Sequence, residues 1–352
     1  TSEYMRSVVL SSLNYYTSAH QIKLGYTYNI AYVKSTSYTI SNSIRAVYRN
    51  GVPDSVNTYN SPVGSELHTR DNAVYIQDRW TPFKKLTLNL GLRFETLYGY
   101  EPDPCQPANA WIAARCFSSI EGVPDFKGVA PRFSAVYDLF GTGRTALKLS
   151  ANRYNVGVGA SLVTAINPIR VTNDTRSWTD ANRDLIPQLS ELGPSTGFNL
   201  GTTNRYSDDL VRPSANEYAL ELQHQLPGNL VVSAAYTHRQ TQNNIGSKNV
   251  AVPRDTYIPL QVTEVTSGKA VTVFNQAPAL RGRFDMLYDN YPDLNTTYNG
   301  VDLTAQKRLS DGWMLSGGAS FGKTIGDVHC GGTYVFACSA DLDNPNFLFR
   351  RG

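Results

Sequence analysis

The sequence predicts an all-β protein: an antiparallel up-and-down transmembrane β-barrel, of which one long stretch of wall is present. Three observations predict it. Apolar residues recur at every second position through many segments, the period of a strand with one buried face. Tight turns rich in Gly, Pro and Asn alternate with connections of about 30 to 60 residues, which are rare in compact soluble domains. Charged residues make up only 17% of the chain while Tyr occurs 22 times. Soluble domains carry roughly 25% charge, and Tyr suits a membrane–water boundary because its ring is apolar and its hydroxyl stays wet.

The alternation is clear in residues 20–33, where Ile22, Leu24, Tyr26, Tyr28, Ile30 and Tyr32 share a face against Gln21, Lys23, Gly25, Thr27 and Asn29. A helix would spread these residues around its circumference, whereas a strand puts them on one side. Tyr38, Ile40, Ile44, Ala46 and Tyr48 repeat the pattern, as do Leu86, Leu88, Leu90, Leu92 and Phe94. So do Tyr218, Leu220 and Leu222, then Leu230, Val232, Ala234 and Tyr236, and finally Val301, Leu303 and Ala305. About 12 strands follow, at 6–17, 20–33, 37–49, 55–61, 71–80, 85–98, 128–139, 144–156, 213–226, 229–241, 299–309 and 313–324, many long enough for a tilted membrane crossing. Turns fall at Ser18-Ala19, Asn50-Gly51, residues 80–84, Gly141–Gly143, Pro227-Gly228-Asn229 and Ser310-Asp311-Gly312. These residues supply the fixed or positive φ of short hairpins. Counted from the start, every tight turn lands on one end of the sheet and every long loop on the other, the asymmetry of outer-membrane barrels. A soluble sandwich would have shorter strands and loops at both ends, and a propeller would show a blade repeat, which is not visible.

Composition narrows function further. The net charge of +3 comes without a basic block, so nucleic acid is not an expected partner. No apolar run is long enough for a transmembrane helix, which leaves a barrel untouched because barrel strands alternate. His20, His68, His224, His238 and His329 are scattered, and no G-x-S-x-G or HExxH motif is present, so catalysis is not expected. No cofactor is implied. Cys105/Cys116 and Cys330/Cys338 form two local pairs without zinc-type spacing. They read as local disulfides of an oxidising compartment, with free thiols as the alternative. Thr1 follows no visible leader and Phe349-Arg350-Arg351-Gly352 follows a loop, so the chain is expected to be a stretch of a longer barrel.

A family resemblance enters at residues 71–97, DNAVYIQDRWTPFKKLTLNLGLRFETL. This resembles a hairpin of TonB-dependent receptors, within them the Oar-like group that carries a carboxypeptidase-regulatory-like domain. Support comes in order from NGVPDSVNTYNSPV at 50–63, GVAPRFSAVYDLFGTGRTALKLSANRY at 128–154 and TRSWTDANRDLIPQ at 175–188. RPSANEYALELQHQLPGNLVVSAAYTHR at 212–239 and YNGVDLTAQKRLSDGWMLSGGASFGKT at 298–324 complete the series. The resemblance implies about 22 strands in the whole barrel, a plug domain, and a periplasmic segment that engages the TonB complex. The plug and the closing C-terminal strands are expected to lie outside this chain. It further implies uptake of a large or scarce solute across the Gram-negative outer membrane, with outer-membrane lipid and an unidentified extracellular ligand as partners. A plugless porin, or an adhesion or export barrel, is the competing expectation.

Arg45, Arg93, Glu95, Arg132, Lys148, Glu221 and Arg308 fall on the polar side of the alternation and are the candidates for a lumen lining. Hydration of the interior, or pairing with a plug, is the plainer role for each. Asp180, Asn182 and Asp184 have the D-x-N-x-D spacing of a calcium loop. Leu185 stands where such a loop wants Gly and no bidentate Glu follows, so solvated Asx turns are favoured over a metal. Asp341, Asp343, Asn344 and Asn346 are equally weak. Trp80, Trp313, Tyr48, Tyr98, Tyr137, Tyr154 and Tyr236 near strand ends read as interfacial girdle residues.

Overall fold

The computed structural model describes residues 2–39, 44–157, 161–169, 173–195, 203–310, 312–326 and 336–346. The chain opens with β1 (Ser2–Tyr16), β2 (His20–Ser37), β3 (Ile44–Arg49), β4 (Val52–Tyr59), β5 (Val63–Phe83) and β6 (Leu86–Glu101). It continues through β7 (Cys105–Gln106), β8 (Arg115–Cys116), β9 (Ile120–Asp138), β10 (Thr145–Asn155), helix α1 (Ser161–Ile166), β11 (Asn173–Ser177) and β12 (Thr203–Tyr206). The remainder is β13 (Ser214–Leu226), β14 (Leu230–Gln242), β15 (Ile245–Asn249), β16 (Tyr257–Thr263), β17 (Ala270–Gln276), β18 (Asp285–Asn290), β19 (Thr296–Ser310), β20 (Trp313–Gly326) and β21 (Phe336–Asp341).

Ten strands build one open sheet in the order β1-β2-β5-β6-β9-β10-β13-β14-β19-β20, each antiparallel to its neighbours. This is the up-and-down order of a barrel wall. The hairpin turns β1–β2, β5–β6, β9–β10, β13–β14 and β19–β20 share one end. At the β13–β14 turn Gly228 has φ 79° and Asn229 φ 60°, the left-handed pair that only Gly and Asn adopt cheaply. Asp311, central to the last turn, lies outside the described residues. The four long connections share the opposite end.

Two expected wall strands are not part of the wall. Residues 37–49 and 55–61 become the short hairpin β3–β4, which joins β11 in a separate three-stranded sheet. The wall therefore has ten strands here, fewer than the 12 expected. The Asn50-Gly51 turn, with φ 53° and 79°, lies on the loop end rather than the turn end. Alternation could not reveal this, because an external hairpin with one packed face alternates just as a wall strand does. Of the residues that suggested the extra strand, Ile40 lies outside the described residues.

The register lays each face out as continuous rows. One row runs His20–Trp80–Leu88–Ala135–Leu149–Leu220–Tyr236–Val301–Phe321 across nine strands. Its neighbour, on the other face, runs Gln21–Arg79–Asn89–Ser134–Ser150–Ala219–Thr237–Gly300–Gly322. The apolar face is the uncovered one: Ile76 and Leu92 are each 50% exposed. In water a continuous apolar surface of this extent would drive association, whereas in a bilayer it meets acyl chains. On β5 the apolar face gives way at Asn72, Arg70 and His68, so the strand's 21 residues run well past the 9–11 or so that cross the hydrocarbon.

On the polar face Tyr75 lies over Gly25, and Tyr298 lies over Gly300 and Gly322. The ring covers strand backbone that the glycine leaves bare. The packed core is elsewhere, at the loop end. Leu162 of α1 is wholly buried with Leu97, Phe126 and Ile245, and Val156, Tyr206, Leu210 and Tyr288 pack around them. Leu97 and Phe126 belong to the polar-face side of β6 and β9, so the long loops fold inward over that face.

Candidate functional site

Five of the lumen candidates stand on the polar face of the wall, and the structure brings four of them into pairs. Arg93 Nε lies 2.6 Å from Glu95 Oε1, two residues along β6. Lys148 Nζ on β10 lies 3.0 Å from Glu221 Oε1 on β13 and donates to Gln223 Oε1 at 2.6 Å. Arg132 stacks its guanidinium over the Tyr154 ring at 5.3 Å, which moves Tyr154 from the expected girdle to the polar face. Lys23 and Arg79 share a cavity of about 410 Å³ with Arg132, lined also by the amides of Gln77, Asn89 and Asn152.

Glu95 has a second, longer-range partner that the sequence did not indicate. Arg212 Nη1 lies 2.8 Å from Glu95 Oε2, and Arg212 Nε donates to the Val156 carbonyl at 2.9 Å. Arg212 is 7% exposed. Glu95 thus ties the wall to both feet of the connection between β10 and β13. Nothing local marks this pairing, since 117 residues separate the partners.

Arg45 is not on the wall. It is an exposed residue of β3, opposite Asn57 of β4, because the hairpin that carries it belongs to the external loops. Tyr48 goes with it, donating its hydroxyl to the Leu185 carbonyl at 3.0 Å and meeting Trp178 edge-on. Arg308 sits exposed at the turn end of β19, beside the break in register at Lys307 and Ser310. Its neighbour Lys307 is the residue with a built environment there. Its ammonium lies 4.2 Å from the Trp313 ring centre and donates to the Ser310 carbonyl at 2.7 Å. Trp80, another expected girdle residue, stacks on His20, whose Nδ1 is 2.7 Å from Asp78 Oδ2.

The mouth is held by polar joints between loops. Cys105 and Cys116 are disulfide-bonded, closing the small hairpin β7–β8. Its buried Gln106 donates to the Asn60 carbonyl, and Arg115 Nη2 donates to Gln106 Oε1 at 3.0 Å. Asn109 Nδ2 reaches the Tyr59 and Ser61 carbonyls at 3.0 and 2.7 Å. Glu101, at the loop end of β6 and seven residues beyond Phe94 of the apolar band, is 1% exposed. Its Oε1 accepts from Asn167 Nδ2 at 2.8 Å and from the Glu66 backbone N–H at 3.3 Å. Burial pushes its carboxyl up to about 7. Sequence reasoning missed both Glu101 and Asn167. Cys330 lies outside the described residues, and its pairing with Cys338 with it.

At Asp180, Asn182 and Asp184 four side-chain oxygens are directed to protein donors, and Asp180 Oδ1 is left without one. Asp184 Oδ1 accepts the Ile186 N–H at 2.8 Å, and its Oδ2 takes Gln188 Nε2 at 2.6 Å. Asp180 Oδ2 accepts the Leu185 N–H at 3.1 Å. The hydrogen bonds to Asp184, that of the Ile186 N–H foremost, then those of Gln188 and Asn182, hold its carboxyl below its ordinary range. Leu185 itself takes φ 60°, the conformation a calcium loop assigns to Gly. Asp341 Oδ1 likewise accepts the Asn249 N–H at 2.9 Å.

The family model described as "Outer membrane beta barrel domain" matches residues 8–348. The chain is 22% identical over 310 residues to the TonB-dependent transporter Oar of Myxococcus xanthus, which covers 80% of this chain and 25% of Oar. It therefore spans about a quarter of the length of that curated relative. Among solved structures it is similar to the closed form of the ferric-catecholate import receptor Fiu from E. coli K12, with a TM-score of 0.50 and 12% identity over 94% of this chain and 38% of that one. At that identity the likeness speaks for the fold alone. The antiparallel ten-stranded order with one apolar face agrees with that fold, and with the family match running from the first wall strand to beyond the last, the chain belongs to the outer membrane beta-barrel domain family and resides in the outer membrane of a Gram-negative bacterium.

Proposed function

We propose that this chain is the part of a TonB-dependent receptor that forms about half of its barrel wall and external mouth, and that the receptor imports a large or scarce solute. The observation that carries the reading is the inward fold of the long loops. The core of Leu97, Phe126, Leu162 and Ile245 packs two of those loops against the polar face at the loop end, where a passive porin keeps a water-filled channel. The similarity to Oar supports the same reading. The loops capture the solute, the paired charges of the polar face line its route, and the energy comes from the TonB complex through a segment outside residues 1–352. Catalysis has no part in this.

The test is uptake by cells carrying the whole gene, measured with the TonB complex intact and with its energising proton motive force collapsed. Accumulation that stops on collapse is expected. Uptake unaffected by the collapse would mean a passive barrel and would end the receptor reading.

A further inference from the structure

Several cations of the polar face meet a carboxylate. Arg93 has Glu95 and Lys148 has Glu221, and Arg239 Nη1 on β14 lies 3.5 Å from Glu217 Oε2 on β13. Three cations that have no such partner among the described residues share one cavity of about 410 Å³. They are Lys23 on β2, Arg79 on β5 and Arg132 on β9, the last with only the Tyr154 ring beside its charge. The one carboxylate at the cavity's edge, Asp78, belongs to the other face. It alternates with Arg79 along β5 and is held by His20 Nδ1 at 2.7 Å.

The register shows how the three come together. Lys23, Gln77, Gly91, Arg132 and Asn152 follow one another in a single row from β2 to β10. Arg79 stands in the next row toward the turns, between Gln21 and Asn89. Gly91, in the middle, has no side chain, so the floor between the cations is open. Gln77, Gly91 and Arg132 also line a second cavity of about 340 Å³ on the loop side, together with Tyr75 and Arg93.

The class of ligand follows from this arrangement. Like charges gathered without a counter-charge repel, and an anion placed among them turns the repulsion into attraction. Guanidinium groups receive carboxylate and phosphate through paired N–H donors, and an ammonium does so as a point charge. The amides of Gln77, Asn89 and Asn152 add neutral donors. Lys23 and Arg132 start three strand spacings apart, roughly 14 Å. A small single anion reaches one of them, whereas spaced anionic groups on one solute reach several at once. We propose that this cavity is a binding site on the solute's route, and that the solute it takes carries two or more carboxylate or phosphate groups. The proposal rests on the reading of the polar face as that route and is independent of how transport is energised.

The purified full-length protein in detergent is titrated by calorimetry with tricarballylate, a compact tricarboxylate, and separately with acetate. Tricarballylate is expected to bind at least about tenfold more tightly than acetate, with an affinity that falls as salt is raised. Arg79→Gln and Arg132→Gln each remove one charge and are expected to weaken it about fivefold or more. Gly91→Asp, whose Cβ meets nothing closer than 3.5 Å, sets a counter-charge among the cations and is expected to abolish binding. Lys269→Gln, exposed on the β16–β17 turn, is expected to bind as wild type does. No binding by wild type, acetate binding of equal strength, undiminished affinity in any of the three cavity variants, or an equal loss in Lys269→Gln each overturns the proposal. The first two outcomes use the unaltered protein, so a misfolded variant cannot rescue it. A carboxylate from elsewhere in the polypeptide that already fills the cavity would appear as the first of them. Tricarballylate binding combined with uptake that survives collapse of the proton motive force would sink the receptor reading alone, and the reverse pair of results would sink this proposal alone.

Discussion

Gly25 shows how closely the polar face is specified. An added methyl there would enter the ring of Tyr75, and overpacking of this kind costs about 1–3 kcal/mol. Gly25→Ala is expected to lower the urea stability of the refolded protein by that amount, while Gly64→Ala, where a Cβ meets nothing, stays within about 0.5 kcal/mol. Equal losses at both positions would show that the ring is not what excludes the side chain. Residue-scale chemistry was only partly legible in the sequence. Arg93 and Glu95 share a face by parity alone, so their pairing could be read from their spacing. Glu95 with Arg212, and Glu101 with Asn167, could not, since each pair joins a wall strand to a loop whose path no local pattern dictates. Leu185 was legible in a different sense: a calcium loop needs Gly there, and the chain takes the same left-handed turn with a Leu and satisfies it by Asx hydrogen bonds.

Among the elements, the wall strands were legible because one face must be apolar over a fixed height. β3 and β4 mimic that pattern, and only their lengths of 6 and 8 residues distinguish them from strands of 11 to 21. The β7–β8 hairpin was legible only as two cysteines. Closing so short a loop contributes about 3 kcal/mol through the unfolded chain, enough to order a two-residue ladder that could not stand alone. Reduction is expected to release this hairpin while leaving the wall folded. Trypsin cleavage after Arg115, scored with and without reductant, measures it. Acceleration under reductant is the expected outcome, and an unchanged rate would mean that Gln106 and Asn109 hold the hairpin without the disulfide.

For the whole molecule, the two faces assign opposite consequences to one substitution. Leu92→Arg places a charge on the lipid side and is expected to cost about 2–4 kcal/mol. Asn89→Arg, three residues away on the polar face, is expected to cost under about 1 kcal/mol. Unfolding of both variants from lipid vesicles measures the contrast, and equal costs would refute the assignment of faces. The end-to-end asymmetry was the most legible property of all, since it needs only the lengths of connections. The inward fold of the loops was not, because it depends on contacts between segments far apart in sequence. One consequence concerns distance. Above Asn72 the β5 strand continues nine residues to Val63, roughly 30 Å of extended chain, or roughly 20 Å of height at a barrel strand's usual tilt. The ionic atmosphere of the cell's surroundings damps electric fields over about 8 Å. A charged solute arriving at this rim is therefore beyond the pull of the phosphate-bearing lipid surface below, and the charges that greet it first are the protein's own.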